Sequence, residues 1–257
     1  MSVARLALRQ VRFTNKAFWR NPAAAGFTFA FPLMFLLIFT TILGNGETQI
    51  PGTNLLVPQS TFYVASMAAF SIITACYTNL AISVTFQRDA GILKRIRGTP
   101  LPSGAYLTGR VIHATLVGVL LVVICAAFGR VAYDASIPTG ATLARFAVTL
   151  LVGAAGFAGL ALAITAIVPN ADAAPAIVNF SILPLLFLSE VFIPLGKHPA
   201  AWVDFVGKVF PVRHFTVAMQ AAFLGTPFKW SDLVVLAAWG LGGLLLAARF
   251  FSWEPRK

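Results

Sequence analysis

Six stretches without a charged residue dominate this chain. Between Arg20 and Glu47 lie 26 uncharged residues, between Glu47 and Arg88 40, and between Arg110 and Arg130 19. Three more follow: 26 from Arg145 to Asp172, 17 from Asp172 to Glu190 and 16 from Asp232 to Arg249. About 20 apolar residues carry a helix across a bilayer core. The 40-residue run holds one helix plus a loop, because Pro51, Gly52 and Pro58 break its first third. The two shortest runs work as spans only with Glu190 and Arg249 near the interfaces, where side chains reach water. The pattern predicts six helices, roughly 23–44, 61–84, 106–128, 142–168, 173–194 and 231–251. The predicted fold is therefore an all-α integral membrane protein, one transmembrane domain over residues 1–257.

Composition supports this. The chain is 58% hydrophobic and 11% charged, where soluble domains carry about 25% charged residues. That excludes a disordered tail, a coiled coil and an ordinary cytosolic enzyme. The net charge of +11 would suit nucleic acid if the cations clustered on one folded face. They lie instead between apolar runs, as expected for loops against anionic lipid, so no nucleic-acid partner is expected. Cys76 and Cys125 sit inside apolar runs and indicate neither a disulfide nor a metal site. The excess of Arg over Lys, with much Ala, fits a bacterial source.

An even number of spans puts both termini on one side. With the N-terminus inside, 13 of the 19 Lys and Arg fall on that side, so the positive-inside bias makes both termini cytosolic. A cleaved signal does not fit: the first apolar run exceeds a core of about 7–15 residues and lacks a small-residue cleavage site. Before that run Arg5, Arg9, Arg12, Lys16 and Arg20 recur every three or four residues. At about 100° per residue they share one face, which predicts an interfacial helix within residues 1–22, either a plain anchor or a support for a partner contact. The outer segment 194–230 is too apolar for a solvated loop. Trp202, Phe205, Val206, Val209 and Phe210 repeat at helical spacing up to Pro211, and Val212 to Leu224 runs on to Gly225. Each piece is about 12 residues, roughly 18 Å of helix. The expectation is a re-entrant or interfacial helical pair, tolerated at membrane depth only where protein covers it.

No catalytic constellation is present. His113, His198 and His214 lack the HExxH spacing and have no acidic pair near them in sequence. The dipeptides Gly196-Lys197 and Gly207-Lys208 are followed by His198 and Val209, not by the Ser or Thr of a phosphate-binding loop. Any ATP-driven work must therefore come from a partner.

The most informative polar stretch lies at 86–103. Ile92, Leu93 and Ile96 form an apolar ridge on a short helix, flanked by Lys94, Arg95 and Arg97 and stopped by Gly98 and Thr99-Pro100. A loop needing only charge has no use for three exposed aliphatics, which suit a groove in another protein. Here the sequence resembles the permease subunits of ABC-2 type exporters, including the daunorubicin-resistance type. Asp89, Gly91, Leu93, Arg95, Thr99 and Pro100 match that family's loop after the second span, and Tyr106, Gly109 and Arg110 continue it. Leu188 to Pro194, then Trp202 and Phe210-Pro211, is similar to its stretch from the fifth span into the outer helices. Gln87 stands where an acidic residue is common, and Glu190 where a small residue, usually Gly, is common.

The resemblance implies a second permease subunit, separate ABC ATPase subunits and a bacterial inner-membrane location. It implies that Asp89, Gly91, Ile92, Leu93, Arg95, Ile96, Thr99 and Pro100 form the coupling helix and its flanks. No cofactor is expected on this chain itself; ATP and Mg would be bound by the partner. Phe31 and Phe35 in span one, Thr74, Thr78 and Asn79 in span two, and Glu190 and Phe192 are candidates for a substrate path or outer gate. Each has a structural alternative: aromatic packing, hydrogen bonds between helices, or for Glu190 a pairing with Lys197 or Arg213. Gly153, Gly156 and Gly159 with Ala155 and Ala163 give span four a close-packing face, within the subunit or across a dimer. A drug, natural product or lipid is the expected cargo. A lipid-linked polysaccharide is the alternative, and an ion-coupled transporter is opposed by the lack of mid-depth carboxylates.

Overall fold

The computed structural model describes residues 2–44, 46–49, 56–192 and 200–255. Helix α1 (Val3–Trp19) leads through Asn21 into α2 (Pro22–Leu43). Asn21 caps α2 by accepting from the Ala24 N–H at 3.2 Å, with Pro22 in the first turn, where a proline is tolerated. A two-stranded antiparallel ribbon follows, β1 (Glu47–Gln49) paired with β2 (Leu56–Pro58). It occupies the region read from sequence as loop.

The second span runs unbroken from Gln59 to Asp89, as α3 (Gln59–Ile73), a π-helical segment (Thr74–Asn79) and α4 (Leu80–Asp89). It is the hub of the fold. Every residue from Ser60 to Ile73 is buried, and α2 and the helices Ser103–Tyr133, Gly140–Ile164 and Pro211–Leu224 surround it. Its small residues (Ala65, Ser66, Ala68, Ala69, Ser71) allow that crowding. Short α5 (Ile92–Arg97) then leads to α6 (Ser103–Tyr133), whose 31 residues extend about 46 Å, more than a bilayer core needs. Helix α1 packs along the excess length. A Cβ at Gly109 would lie 2.7 Å from Gln10 Cβ, so Gly109 is what lets α1 in. The α1 cations Arg5, Arg9, Arg12, Lys16 and Arg20 are exposed, while Ala7 and Thr14 are buried.

The chain completes with α7 (Gly140–Ile164), α8 (Ala174–Phe187), α9 (Ala201–Val209), α10 (Pro211–Leu224) and α11 (Trp230–Phe250). Among the described residues five helices are long and apolar enough to cross a membrane: α2, the α3–α4 unit, α6, α7 and α11. The fifth expected span differs. Helix α8 has 14 residues, about 21 Å, because the chain leaves the helix after Phe187 and Glu190 takes a left-handed φ of 61°. Helices α9 and α10 meet at the break at Pro211 that the spacing indicated, and residues 193–199 lie outside the described residues. Most of α10 is buried against α3, α7 and α11.

The close-packing face of span four meets α11 within the subunit. A Cβ at Gly240 would sit 2.6 Å from Gly156 Cα, and one at Gly159 2.6 Å from the Gly240 carbonyl oxygen. Gly153 instead accommodates the Phe215 ring of α10.

Candidate functional site

Sequence-selected residues gather at two ends of the molecule. At the end shared by α1, α5 and the C-terminus of α7, the left-handed Gly91 (φ 70°) turns the chain from α4 into α5, a conformation glycine adopts without steric cost. The ridge read as fully exposed is divided. Leu93 is 0% exposed and joins the chain's own core, Ile96 packs against that core, and Ile92 is 41% exposed. A helix of six residues cannot hold its position by itself, so Leu93 serves as its anchor. The outward surface of α5 is therefore Ile92, Lys94, Arg95 and Arg97, with Thr99 and Pro100 exposed beyond it. Thr99 Oγ1 donates to the Ile96 carbonyl at 2.7 Å and accepts from the Leu101 N–H at 3.3 Å, which closes the turn.

Asp89 turns inward. Its carboxylate accepts from Arg88 Nε at 3.2 Å and from the Ala171 N–H at 2.5 Å. Arg88, counted in the sequence as a loop cation, is 1% exposed. It donates to the carbonyls of Thr165 and Val168, both at 2.9 Å, and of Pro169 at 3.1 Å. The Thr165 carbonyl caps α7 and the other two follow it, where orphaned acceptors and the helix dipole favour a cation. The Arg88–Asp89 pair thus clamps the base of α5 to the α7–α8 connection. Its only sequence trace is the adjacency of the two charges to a long apolar helix.

At the other end Phe31 and Phe35 meet Phe192 in one aromatic cluster. Ring centroids are 4.8 Å apart for Phe31–Phe35, 5.4 Å for Phe35–Phe192 and 5.4 Å for Phe70–Phe192. Phe39 stacks on Tyr63 at 5.2 Å, and Phe187 lies 4.9 Å from Phe192. The polar candidates of span two do not join this cluster. Thr74 Oγ1 bonds back to the Phe70 carbonyl at 2.9 Å, Ser71 Oγ to Met67 and Thr85 Oγ1 to Ala81. Thr74 and Thr85 satisfy their own helix, while Ser71 Oγ also lies 3.8 Å from Cys125 Sγ of α6. One bridge from this span is Tyr77 Oη to Ser181 Oγ of α8 at 2.7 Å, made from the π segment, and another is Gln220 Nε2 of α10 donating to Ser66 Oγ at 2.9 Å. Within the π segment Thr78 is half-buried, and Asn79 is exposed and lines a separate cavity near α1.

Glu190 is 3% exposed and pairs with Arg213, Nη2 to Oε1 at 3.1 Å. The alternative partner Lys197 lies outside the described residues. Arg213 also holds Asp204 at 2.9 Å, which Lys208 reaches at 2.6 Å. Those bonds, Lys208 first, hold the Asp204 carboxyl below its ordinary range. Beside this network His214 Nδ1 lies 2.7 Å from Asp232 Oδ1, and the bond holds the imidazole above its ordinary pKa. Asp232 is 18 positions away, so sequence proximity gave no sign of it. Among the described residues no group of three His, Cys, Asp or Glu is placed to hold a metal.

A left-handed φ at a residue with a Cβ costs about 1–2 kcal/mol, so Glu190 is held there by its ion pair and by Gln220 Nε2, which donates to its carbonyl at 3.3 Å. Glu190→Ala is expected to destabilise the protein by about 1–3 kcal/mol, since it removes one of the two carboxylates that Arg213 pairs with. Glu190→Gly is expected to lose less, by about 1 kcal/mol, because it relieves the backbone. Thermal unfolding in detergent checks the order, and equal losses would show that strain has no part.

With this geometry in view, comparison with known proteins is decisive. Residues 8–224 match the family model described as ABC-2 type transporter. The chain belongs to that family. It is 23% identical over 228 residues to the putative transport permease YvfS of Bacillus subtilis, covering 89% of each chain. It is similar to the probable multidrug ABC transporter permease YbhR of Escherichia coli, 26% identical over 163 residues, covering 63% of this chain and 44% of the relative. It is also 27% identical over 221 residues to nodulation protein J of Rhizobium meliloti, covering 83% and 79%. The ABC-2 fold expected from the loop and outer-helix motifs is the fold observed.

Proposed function

We propose that this chain is the membrane subunit of an ATP-driven exporter that moves a hydrophobic or amphipathic drug, natural product or lipid outward. It pairs with a second permease subunit in a bacterial inner membrane, both termini in the cytosol. A separate ATPase supplies ATP and Mg binding. The observation that carries this reading is α5: a short helix anchored by Leu93, braced by Arg88 and Asp89, and presenting Ile92, Lys94, Arg95 and Arg97 outward. A rigid element with an exposed mixed apolar and basic face suits docking, and its braces connect partner movement to α4 and α7. The name of YbhR, a multidrug permease, and the bias of cations toward the α1 side support the same reading. For cargo, the all-aromatic cluster of Phe31, Phe35, Phe39, Phe70 and Phe192 favours apolar matter over polysaccharide.

Affinity purification of the tagged chain in detergent tests the docking face. ATP-hydrolysing activity should co-purify with the wild type and fall roughly tenfold or more in Ile92→Asp or Arg95→Glu, as for a central interface residue. Both positions are exposed, so the fold is spared. Absence of ATPase with the wild type, or equal recovery with both variants, would contradict the proposal.

A further inference from the structure

A cavity of about 270 Å³ lies between α1, the start of α2, the π segment with α4, and α6. Its walls include Thr14, Asn21, Asn79, Ser83, Arg110 and His113. Three of these side chains are at least nine-tenths buried: Thr14 at 7% exposed, Arg110 at 8% and His113 at 8%. Each carries a buried polar atom with no hydrogen-bond partner, namely Thr14 Oγ1, Arg110 Nε and His113 Nε2. Arg110 Nη2 bonds Ser83 Oγ, and Tyr106 Oη donates to Gln87 Oε1 beside it. Among the described residues Arg110 has no carboxylate: the ion pairs form at Arg88, Arg130, Lys208, Arg213 and His214.

A guanidinium removed from water and left without an anion is costly. An ionisable residue within a membrane helix marks a functional site by default. Three unpartnered polar atoms on residues lining one hollow, one of them on a buried cation, suit a ligand that returns hydrogen bonds and negative charge together. Water offers the first without the second. The rim is open where α1 passes into α2. Ala17, Asn21 and Ala24 are exposed there, and Ala17 and Asn21 each follow an exposed cation, Lys16 and Arg20. A negatively charged group approaching along the membrane surface meets those cations first.

We propose that this cavity is a binding site for an anionic phosphate or carboxylate group, with Arg110 as its charge partner and Thr14 and His113 as further hydrogen-bonding groups. The group arrives on an amphiphile of the leaflet beside α1 or as a free anion. It is separate from the aromatic cluster, and occupancy ties α1 to α4 and α6.

The test is native mass spectrometry of the full chain released from phosphatidylcholine nanodiscs doped with phosphatidylglycerol, and separately of the chain incubated with inorganic phosphate. Arg110→Gln removes the charge, and Ala114→Leu, at a residue that also lines the cavity, fills it with Arg110 intact, so a folding failure of the first leaves the second to decide. Arg9→Gln on the exposed face of α1 is the control. The wild type should retain one phosphatidylglycerol per chain, with retention roughly tenfold or more weaker in Arg110→Gln and Ala114→Leu and unchanged in Arg9→Gln. Retention of phosphate alone with the same variant pattern supports the site and assigns its ligand to solution. Equal retention by all variants, or loss in Arg9→Gln alone, overturns it in favour of diffuse surface binding. Retention of neither probe by the wild type also overturns it.

Discussion

Arg88→Leu should cost this protein several kcal/mol of stability and free the α7–α8 connection. The guanidinium is 1% exposed and satisfies three carbonyls at 2.9–3.1 Å while holding Asp89. Leucine fills much of the space and supplies no donor. The carbonyls of Thr165, Val168 and Pro169 then lose their bonds from Arg88, and Asp89 is left as a carboxylate with one bond, from the Ala171 N–H. Breaking a buried charged arrangement from one side costs about 3–5 kcal/mol. Arg88→Lys keeps the charge and loses the planar fork, so it should recover only part of the loss. Thermal unfolding in detergent reads the stability, and proteolysis within 165–173 reads the freed connection. Wild-type behaviour of Arg88→Leu in both would show that the clamp does not hold α5.

The second large effect belongs to the α7–α11 contact. Gly240→Leu places a side chain where Gly156 Cα is 2.6 Å from the Cβ position, and the obstacle is backbone. The helices must separate, and overpacking of that kind costs typically about 1–3 kcal/mol, occasionally more. Close packing is what holds membrane helices together, since lipid gives no hydrophobic drive for their association, so separating α11 removes much of what docks it. Gly242→Leu is the internal control, because nothing lies within 4 Å of its Cβ position; its effect should stay within about 0.5 kcal/mol. Equal melting temperatures for the two variants would contradict the packing described.

Much of this architecture was legible in the sequence because charge and apolarity alone delimit membrane helices. The break at Pro211 was legible too, since proline cannot continue a helix and the apolar repeat restarts after it. What was not legible depends on distance in sequence. Leu93 and Ile92 are neighbours of equal hydrophobicity, yet tertiary packing buries one and exposes the other. Arg88 looked like a loop cation because the helix expected over 61–84 continues through it to Asp89. The π segment has no signature in residue type, so the facing of Thr74, Thr78 and Asn79 could not be read from regular helical spacing. The end of α8 is set by the reach of Glu190 to Arg213, 23 residues on. The family's usual small residue at that position fits the left-handed φ of 61° found there, a backbone demand that hydropathy cannot reveal.

The most direct measurement is transport itself. The chain is purified with its ATPase, reconstituted into liposomes and given ATP and Mg on the side that the ATPase faces. A lipophilic fluorescent cargo should accumulate in the lumen with ATP, stop with a non-hydrolysable analogue, and fail in Ile92→Asp vesicles. Accumulation driven by an ion gradient without ATP, or ATP-driven accumulation undiminished by Ile92→Asp, would contradict an ATP-coupled exporter worked through α5.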